Sequence, residues 1–469
     1  MSVRTEQAAA APPTSPVVGE PGPRRWIVFG TVSLALFMAS IDQTIVATAL
    51  GTLKQDLHAQ VNWASWTITI YALGQVIAMP LAGAISDLYG RKRVFLTAVV
   101  IFTAASLACG LVSNIYLLVA LRLVQALGGG AFMPSATGLV SDEFGRDRDR
   151  AIGLFTSIFP IGGIVGPVLG GVFVTYWSWR GIFLVNVPIG IVLLIIGAAT
   201  LPRGVRKPGA RLDLVGVALM AGTLLGLMIG ITNLGGGSSF AAPQFLLPAI
   251  AGLGLGGLFL RHSAGAPHPF IPLHLIRGGS FGIMNLFNFL FGAAALGFGT
   301  LVPLYAQDRY GMSELSAGTL LTARAVGMIG IAALAAYALR RTGYRLPMVV
   351  GSLVVACGLG LLALHPVIGS PYVWLALGAL VTGVGMGASI PATNNAVLNL
   401  APHQTAAISG LRGMFRQAGA ITGISIATAV LARSSDPGTA MAHIFVIFAL
   451  IVLATIPLAW RVPDHRGTW

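Results

Sequence analysis

Charge is what this chain has least of. Only 9% of its 469 residues are Asp, Glu, Lys or Arg, 55% are hydrophobic, and the mean hydropathy is +0.84. A soluble globular domain carries about 25% charged residues. A water-driven core is therefore excluded, and the expected class is an all-α polytopic membrane protein. Cysteine is nearly absent. Cys109 and Cys357 both fall inside apolar runs, which argues against a disulfide framework or a thiolate metal site. The eight histidines are scattered, most of them singly, in loops (His58, His262, His268, His274, His403, His465) or at span edges. A polytopic enzyme would need His/Asp or Ser/His clusters near one face, so no metal, cofactor or enzymatic activity is expected. No loop is long enough for the soluble domain of a sensor or scaffold. Residues 1–25 are Ala/Pro-rich and lack the apolar core of a signal peptide, and they read as a disordered cytoplasmic tail. The net charge of +14 would suggest nucleic acid in a soluble protein. Here the cations sit in short loops, where they set topology and meet anionic headgroups, so the expected partner is membrane lipid and not nucleic acid.

What is plentiful is the apolar run of about 20 residues, the length that crosses a bilayer. Fourteen are read, at roughly 26–50, 63–84, 94–113, 115–141, 150–174, 181–201, 212–234, 244–260, 280–306, 314–339, 346–364, 371–398, 404–432 and 440–460. With the N-terminus inside, 20 of the 28 Lys and Arg are cytoplasmic, four lie outside (Lys54, Arg180, Arg309, Arg433) and four lie within spans. That asymmetry sets orientation, and an even span count returns the C-terminus to the cytoplasm. Residues 81–92 align weakly with 334–345, with Arg340 in place of Asp87, and tandem homologous bundles are a common transporter plan. The expected organisation is a tail over 1–25, a six-helix bundle over 26–201, two inserted helices with linkers over 202–265, a second six-helix bundle over 266–460 and a cytoplasmic tail over 461–469.

Between spans 2 and 3 the chain reads Gly83-x-x-x-Asp87-x-x-Gly90-Arg91-Lys92-Arg93, a basic turn that fixes one membrane face. Span 5 carries Gly153, Gly162, Gly166, Pro167, Gly170 and Gly171 as G-x8-G-x3-G-P-x2-G-G. Small residues on one face admit a close neighbour, and Pro167 frees a carbonyl and bends its helix. Span 1 contains IDQTIVATAL over 41–50, span 2 opens with Trp66 and Tyr71, and span 6 opens with WRGIFLVNVPIG over 179–190. RLVQALG over 122–128 and RQAG over 416–419 complete the set.

The loop motif resembles the signature loop of the major facilitator superfamily, and the span 5 pattern resembles the mark of its antiporters. The remaining motifs and the span count are similar to the fourteen-span drug:proton antiporter family, with Gly51, Ala47 and Ala126 as departures. The resemblance implies two six-helix bundles facing a central cavity, plus two inserted helices. It implies proton-coupled export of small amphiphilic compounds by alternating access, that is multidrug efflux and antibiotic resistance, in the cell membrane with both termini cytoplasmic. The proton gradient would be the energy source, no cofactor would be needed, and a monomer is expected. Export of a lipid or cell-envelope precursor or metabolite on the same fold is the alternative. The resemblance also implies a cytoplasmic gate built on Gly83, Asp87, Gly90, Arg91 and Arg93. In it Asp87 would face another helix's positive N-terminus, and Arg91 would pair with Asp142 or Glu143.

Of the 14 acids, only Asp42 lies deep in a span. Arg122 in span 4 costs of the order of 3 kcal/mol on insertion, so it needs a partner or a wet cavity. Span 1 runs outward and span 4 inward, which puts both residues roughly 10–12 Å from the outer ends of their helices at 1.5 Å rise per residue. A carboxylate and a guanidinium at one depth can pair, and protonation breaks the pair. Asp42 and Arg122 are therefore the candidate proton-coupling residues. Candidates for the substrate cavity are Gln43, Gln125, Arg324, Asn394, Asn395 and Arg416, although Asn394 and Asn395 would serve equally as interhelical donors. Arg412 shares a face with Arg416 and is expected to snorkel to the cytoplasmic surface. The run Arg146-Asp147-Arg148-Asp149-Arg150 is expected to be a solvated loop.

Overall fold

The computed structural model describes residues 24–59, 61–202, 212–236, 238–367, 369–401, 404–462 and 464. The expectations for residues 1–23, for the linker 203–211 and for 465–469 fall outside them. Fourteen long helices follow the apolar runs. We number them α1 (Arg24–Thr48), α2 (Trp63–Tyr89), α3 (Arg91–Leu111), α4 (Ile115–Phe144), α5 (Arg148–Tyr176), α6 (Gly181–Thr200), α7 (Leu214–Leu234), α8 (Pro243–Gly265), α9 (Gly279–Tyr310), α10 (Glu314–Thr342), α11 (Arg345–Ala363), α12 (Pro371–Leu400), α13 (Thr405–Leu431) and α14 (Pro437–Trp460). Among the described residues, thirteen are long and apolar enough to cross a bilayer. In α10 the apolar stretch is the shorter Ser316–Ala332.

Four helices are interrupted, three of them for a visible reason. The break at Ser157 in α5 lies three residues before Pro160, and the break at Val185 in α6 three before Pro188. The break at Thr455 in α14 lies two residues before Pro457. In each case the ring removes the amide that would bond to the carbonyl four residues earlier. In α9 a π-helical turn occupies Gly292–Leu296.

Helices α1–α6 and α9–α14 pack into two bundles by the same set of pairings. In the first, α1 packs on α4, α5 and α6, α2 on α4, and α3 on α4 and α6. In the second, α9 packs on α12, α13 and α14, α10 on α12, and α11 on α12 and α14. The offset that aligns 81–92 with 334–345 also carries Gly74 to Gly327 and Gly130 to Gly383. These glycines make the α2–α4 and α10–α12 crossings. An added Cβ would lie 2.8 Å from Ala78 Cβ at Gly130 and 3.0 Å from Arg324 Cα at Gly383. Between bundles the pattern repeats as well, with α13 against α2 and α4, and α5 against α10 and α12. The inserted helices α7 and α8 pack on each other, and α7 leans on α13 and α2.

Hydrogen bonds between the bundles are confined, among the described residues, to the end that carries Arg91. The other end carries Arg180, held by Asp56 at 2.7 Å, with Trp179 Nε1 donating to the same carboxylate at 2.8 Å. Those bonds, Arg180 first, hold the Asp56 carboxyl below the usual carboxylate range.

Two expectations need correction here. Residue 464, read as part of a tail, folds back instead: Asp464 Oδ1 accepts from the Tyr344 and Arg345 amides at 2.9 and 3.3 Å, capping α11. The basic turn after span 2 is not a loop either. Helix α2 runs to Tyr89, Gly90 alone turns the chain at φ 98°, and α3 starts at Arg91.

Candidate functional site

The contacts at the Arg91 end grow directly from that turn. Because only Gly90 separates the helices, Asp87 and Arg91 lie side by side, 3.6 Å apart. Asp87 Oδ2 accepts from the Ala407 amide at 2.9 Å, in the first turn of α13 where unpaired amides present positive charge. Arg91 pairs with Asp142, donates to the Gly138 carbonyl and reaches Thr405 Oγ1 at 2.9 Å. Gly83 lets α2 meet α13, since a Cβ there would sit 2.9 Å from Ala407 Cα and closer still to the Ala406 carbonyl. Arg93 does not belong to this cluster. It is exposed, while its neighbour Lys92 caps α6 at the Ala198 and Leu201 carbonyls, 2.7 and 2.8 Å away.

A second inter-bundle cluster overturns the reading of 146–150 as a solvated loop. Gly145–Asp147 form a 3-10 turn, and Arg148 and Asp149 open α5. The Tyr344 hydroxyl donates to Asp149 Oδ2 at 2.9 Å, Asn395 Nδ2 donates to the Asp149 carbonyl at 3.0 Å, and Asn399 joins Arg148 to Tyr344. Burial, then the nearby Asp149 carboxylate, pushes the Tyr344 hydroxyl well above the usual tyrosine range, so it stays a donor. Asn395 is fully buried in this cluster and is not a cavity residue.

Asp42 and Arg122 meet inside the first bundle. Arg122 Nη1 donates to Asp42 Oδ2 at 2.7 Å, and the side chains are 1% and 0% exposed. Asp42 Oδ1 accepts from Gln125 Nε2 at 2.9 Å and Asn186 Nδ2 at 3.1 Å. Gln125 Oε1 accepts from Arg122 at 2.7 Å, and Gln125 donates to Ser106 Oγ at 2.6 Å. Arg122 Nε donates to the Thr67 carbonyl at 3.2 Å, and the guanidinium lies 3.9 Å over the Tyr71 ring. Five helices thus surround one ion pair. Gln125 had been placed in the substrate cavity. It is instead 0% exposed and bound wholly within this network. Asn186 was not singled out from sequence, although a lone amide two residues before a kinking proline in an apolar span was a usable signal.

The glycines of α5 divide by direction. A Cβ on Gly162 would lie 2.5 Å from Ser40 Cβ, one on Gly166 3.0 Å from the Ile41 carbonyl, and one on Gly170 2.9 Å from the Ile45 carbonyl. Ser40, Thr44 and Thr48 form the matching ridge on α1. Gly171 meets nothing within 4 Å and takes no part in this seam. Gly153 is buried, and its carbonyl accepts from Thr156 and Ser157.

In the second bundle, Arg324 and Arg416 are half-buried, whereas Arg412 is only 3% exposed. Arg412 therefore does not snorkel outward. The whole stretch Ile408–Met414 of α13 is buried with it. Asn394 is 1% exposed, and neither of its amide atoms has a hydrogen-bond partner among the described residues; Gln43 is half-buried, with Oε1 equally unpartnered. No cluster of three or more His, Cys, Asp or Glu suited to a metal occurs among the described residues. A surface groove lined by Asp213, Arg261, His262 and His268 lies on the inserted pair, away from these charges.

Paired six-helix bundles with an ion pair buried in one of them, joined at one end, define a polytopic helical protein of the two-bundle transporter architecture. Two solved structures share it: the human organic anion transporter MFSD10 (TM-score 0.69, 17% identity, 93% of this chain and 100% of that one) and the proton:xylose symporter XylE (TM-score 0.67, 12% identity, 95% and 97%). The sequence matches the Major Facilitator Superfamily over residues 32–424, with a second match over 286–469. It is 31% identical to a multidrug resistance protein B homolog of Mycobacterium tuberculosis over 86% of this chain and 75% of that protein. It is 29% identical to the multidrug transporter MdtP of Bacillus subtilis (89% and 77%) and to the tetracenomycin C resistance and export protein of Streptomyces glaucescens (92% and 79%). The chain belongs to the major facilitator superfamily of membrane transporters.

Proposed function

We propose that the chain exports small amphiphilic compounds in exchange for protons by alternating access, working as a monomer in the cell membrane with its Arg91 end and both termini in the cytoplasm. The names of the three relatives support the substrate class. The observation that carries the coupling is the environment of Asp42. It is the sole carboxylate deep in a span and is wholly buried. It accepts from Arg122, Gln125 and Asn186 together. Its Arg122 partner offers no acceptor, so a proton arriving on Oδ2 has no place in this arrangement. Protonation must part α1 from α4, and that movement is the coupling step. With the Arg91 end latched, the described state is the one closed toward the cytoplasm.

Asp42→Asn mimics the protonated form permanently. In proteoliposomes with an imposed pH gradient it is expected to fold and bind substrate while losing uphill export. Arg122→Ala is expected to damage coupling too, and Asp42→Glu to keep partial activity. Uphill accumulation by Asp42→Asn under a pH gradient alone would place the proton site elsewhere.

A further inference from the structure

We propose that the cleft between the bundles holds an anion site walled by Arg412 and Arg416 of α13, and that its occupant is the carboxylate, sulfonate or phosphate group of the transported amphiphile. This rests on the transport reading above and names its substrate class.

The neighbours of α13 fix where these side chains point. Gly410 and Gly413 face α2, with Cβ positions 3.2 Å from Pro80 Cα and 2.8 Å from Met79 Sδ. Ser409 Oγ donates to Thr137 Oγ1 of α4 at 3.2 Å. Gly419 and Gly423 face α9, with Cβ positions 2.9 Å from the Phe289 and Ala293 carbonyl carbons. At roughly 100° per residue, Arg416 projects between the α4-facing and α9-facing sides, and Arg412 lies about 40° further round toward α9. That direction is the seam where the first bundle meets the second. Directly across it, the π-helical turn of α9 brings Gly292 so close that its Cβ would lie 3.0 Å from Arg416 Cα. Such turns are frequent at functional sites.

Charge supplies the second argument. Arg412 is 3% exposed, and its Nε has no hydrogen-bond partner among the described residues. The ion pairs among those residues leave both guanidiniums without a carboxylate. The sequence cannot provide one at this depth, because Asp42 is the only deep acid and Arg122 holds it. Arginine does not shed its proton to escape. An unpaired buried charge is strongly unfavourable, and Arg412 is one; the half-buried Arg416 stands one turn away, so the two planar forks can share a single oxyanion. A lipid phosphate carries the same chemistry, but Arg416 lies 11 residues into α13, roughly 16 Å along the axis, below headgroup level.

The test is equilibrium binding to the full-length protein in phosphatidylcholine nanodiscs with no gradient, using radiolabelled 2-naphthoate, 2-naphthalenemethanol and protonated 2-naphthylmethylamine. The carboxylate is expected to bind at least about tenfold more tightly than the alcohol, the effect of one charge-assisted hydrogen bond, and the ammonium more weakly than either. Arg412→Gln and Arg416→Gln should each remove most of that preference while leaving alcohol binding intact, and Arg412→Lys should retain it. Excess sulfate should displace naphthoate and not the alcohol, a readout that needs no variant to fold. Equal binding of the three probes, a preference that survives both glutamine changes, or no displacement by sulfate overturns the site. Loss of naphthoate binding when phosphatidylglycerol replaces phosphatidylcholine overturns the occupant in favour of lipid. Because no gradient is used, failure of Asp42 coupling leaves this result untouched, and the reverse also holds.

Discussion

Gly83→Ala should unlatch the Arg91 end. The new Cβ would come within 2.9 Å of Ala407 Cα, where carbon atoms normally sit about 3.5–4.0 Å apart. The obstacle is backbone on both helices, so no rotamer change relieves it, and α2 must move from α13 by about 1 Å. The bond from the Ala407 amide to Asp87, now 2.9 Å, would then stretch to about 3.9 Å, beyond hydrogen-bonding range. A buried bond to a charged group contributes about 1.5–3 kcal/mol, so the ratio of open to closed at this end should rise about ten- to a hundredfold. Spin labels at Arg93→Cys and Arg341→Cys, both exposed positions at this end, in a background lacking Cys109 and Cys357, would report the distance distribution. The unsubstituted glycine protein should show the short distance, and Gly83→Ala should add or favour a longer one. An unchanged distribution with undiminished thermal stability would refute the claim that Gly83 is needed for close approach.

The same labels should show a shift toward the long distance in Tyr344→Phe as well, about tenfold for the loss of a donor to a carboxylate at the lower end of that range, about 1.5 kcal/mol; no shift would remove the Asp149–Tyr344 contact from the latch. In α5, Gly166→Ala should lower thermal stability by about 1–3 kcal/mol through overpacking. Thr44→Ala should restore part of that loss, and Gly171→Ala should change stability by less than about 0.5 kcal/mol. Melting followed by a thiol dye that reports exposure of buried Cys109 checks all three, and equal effects at 166 and 171 would contradict the seam. At the inserted pair, burial raises the Asp213 carboxyl, but the Gly216 amide, the His262 ring and the Phe270 amide outweigh it, leaving a net depression. A depressed acid stabilises above its unfolded value and loses that contribution as pH falls through its folded value. Amide exchange, corrected for intrinsic rates, should therefore show α7 and α8 loosening below about pH 4, and Asp213→Asn should flatten that dependence.

Depth was legible in the sequence and rotation was not. Counting helical rise from Arg25 and Asn114 put Asp42 and Arg122 at one level, and they stand 2.7 Å apart. The same counting cannot tell which way a side chain faces. Gln125 was therefore assigned to the cavity even though its i,i+3 relation to Arg122 already placed it on the ion-pair face. Arg412 was sent outward for the same reason. Asp149 was misread because alternating charges look solvated, and only the distant Tyr344, Asn395 and Asn399 show otherwise. The fold itself was more open to reading, since a run of about 20 apolar residues marks a span whichever way its side chains face.

The crossed pairing of α5 and α13 has a mechanical corollary. Each belongs to one bundle and grips two helices of the other, so the molecule is held by two hands, the α13 grip the larger. A bundle that rocks as a rigid body cannot release α13 from α2 and α4 while α5 still grips α10 and α12. The two grips must let go together, and their energies add within a single exponent. Weakening either one therefore raises the frequency of full opening and does not create a half-open form, so the passage stays shut until both have yielded.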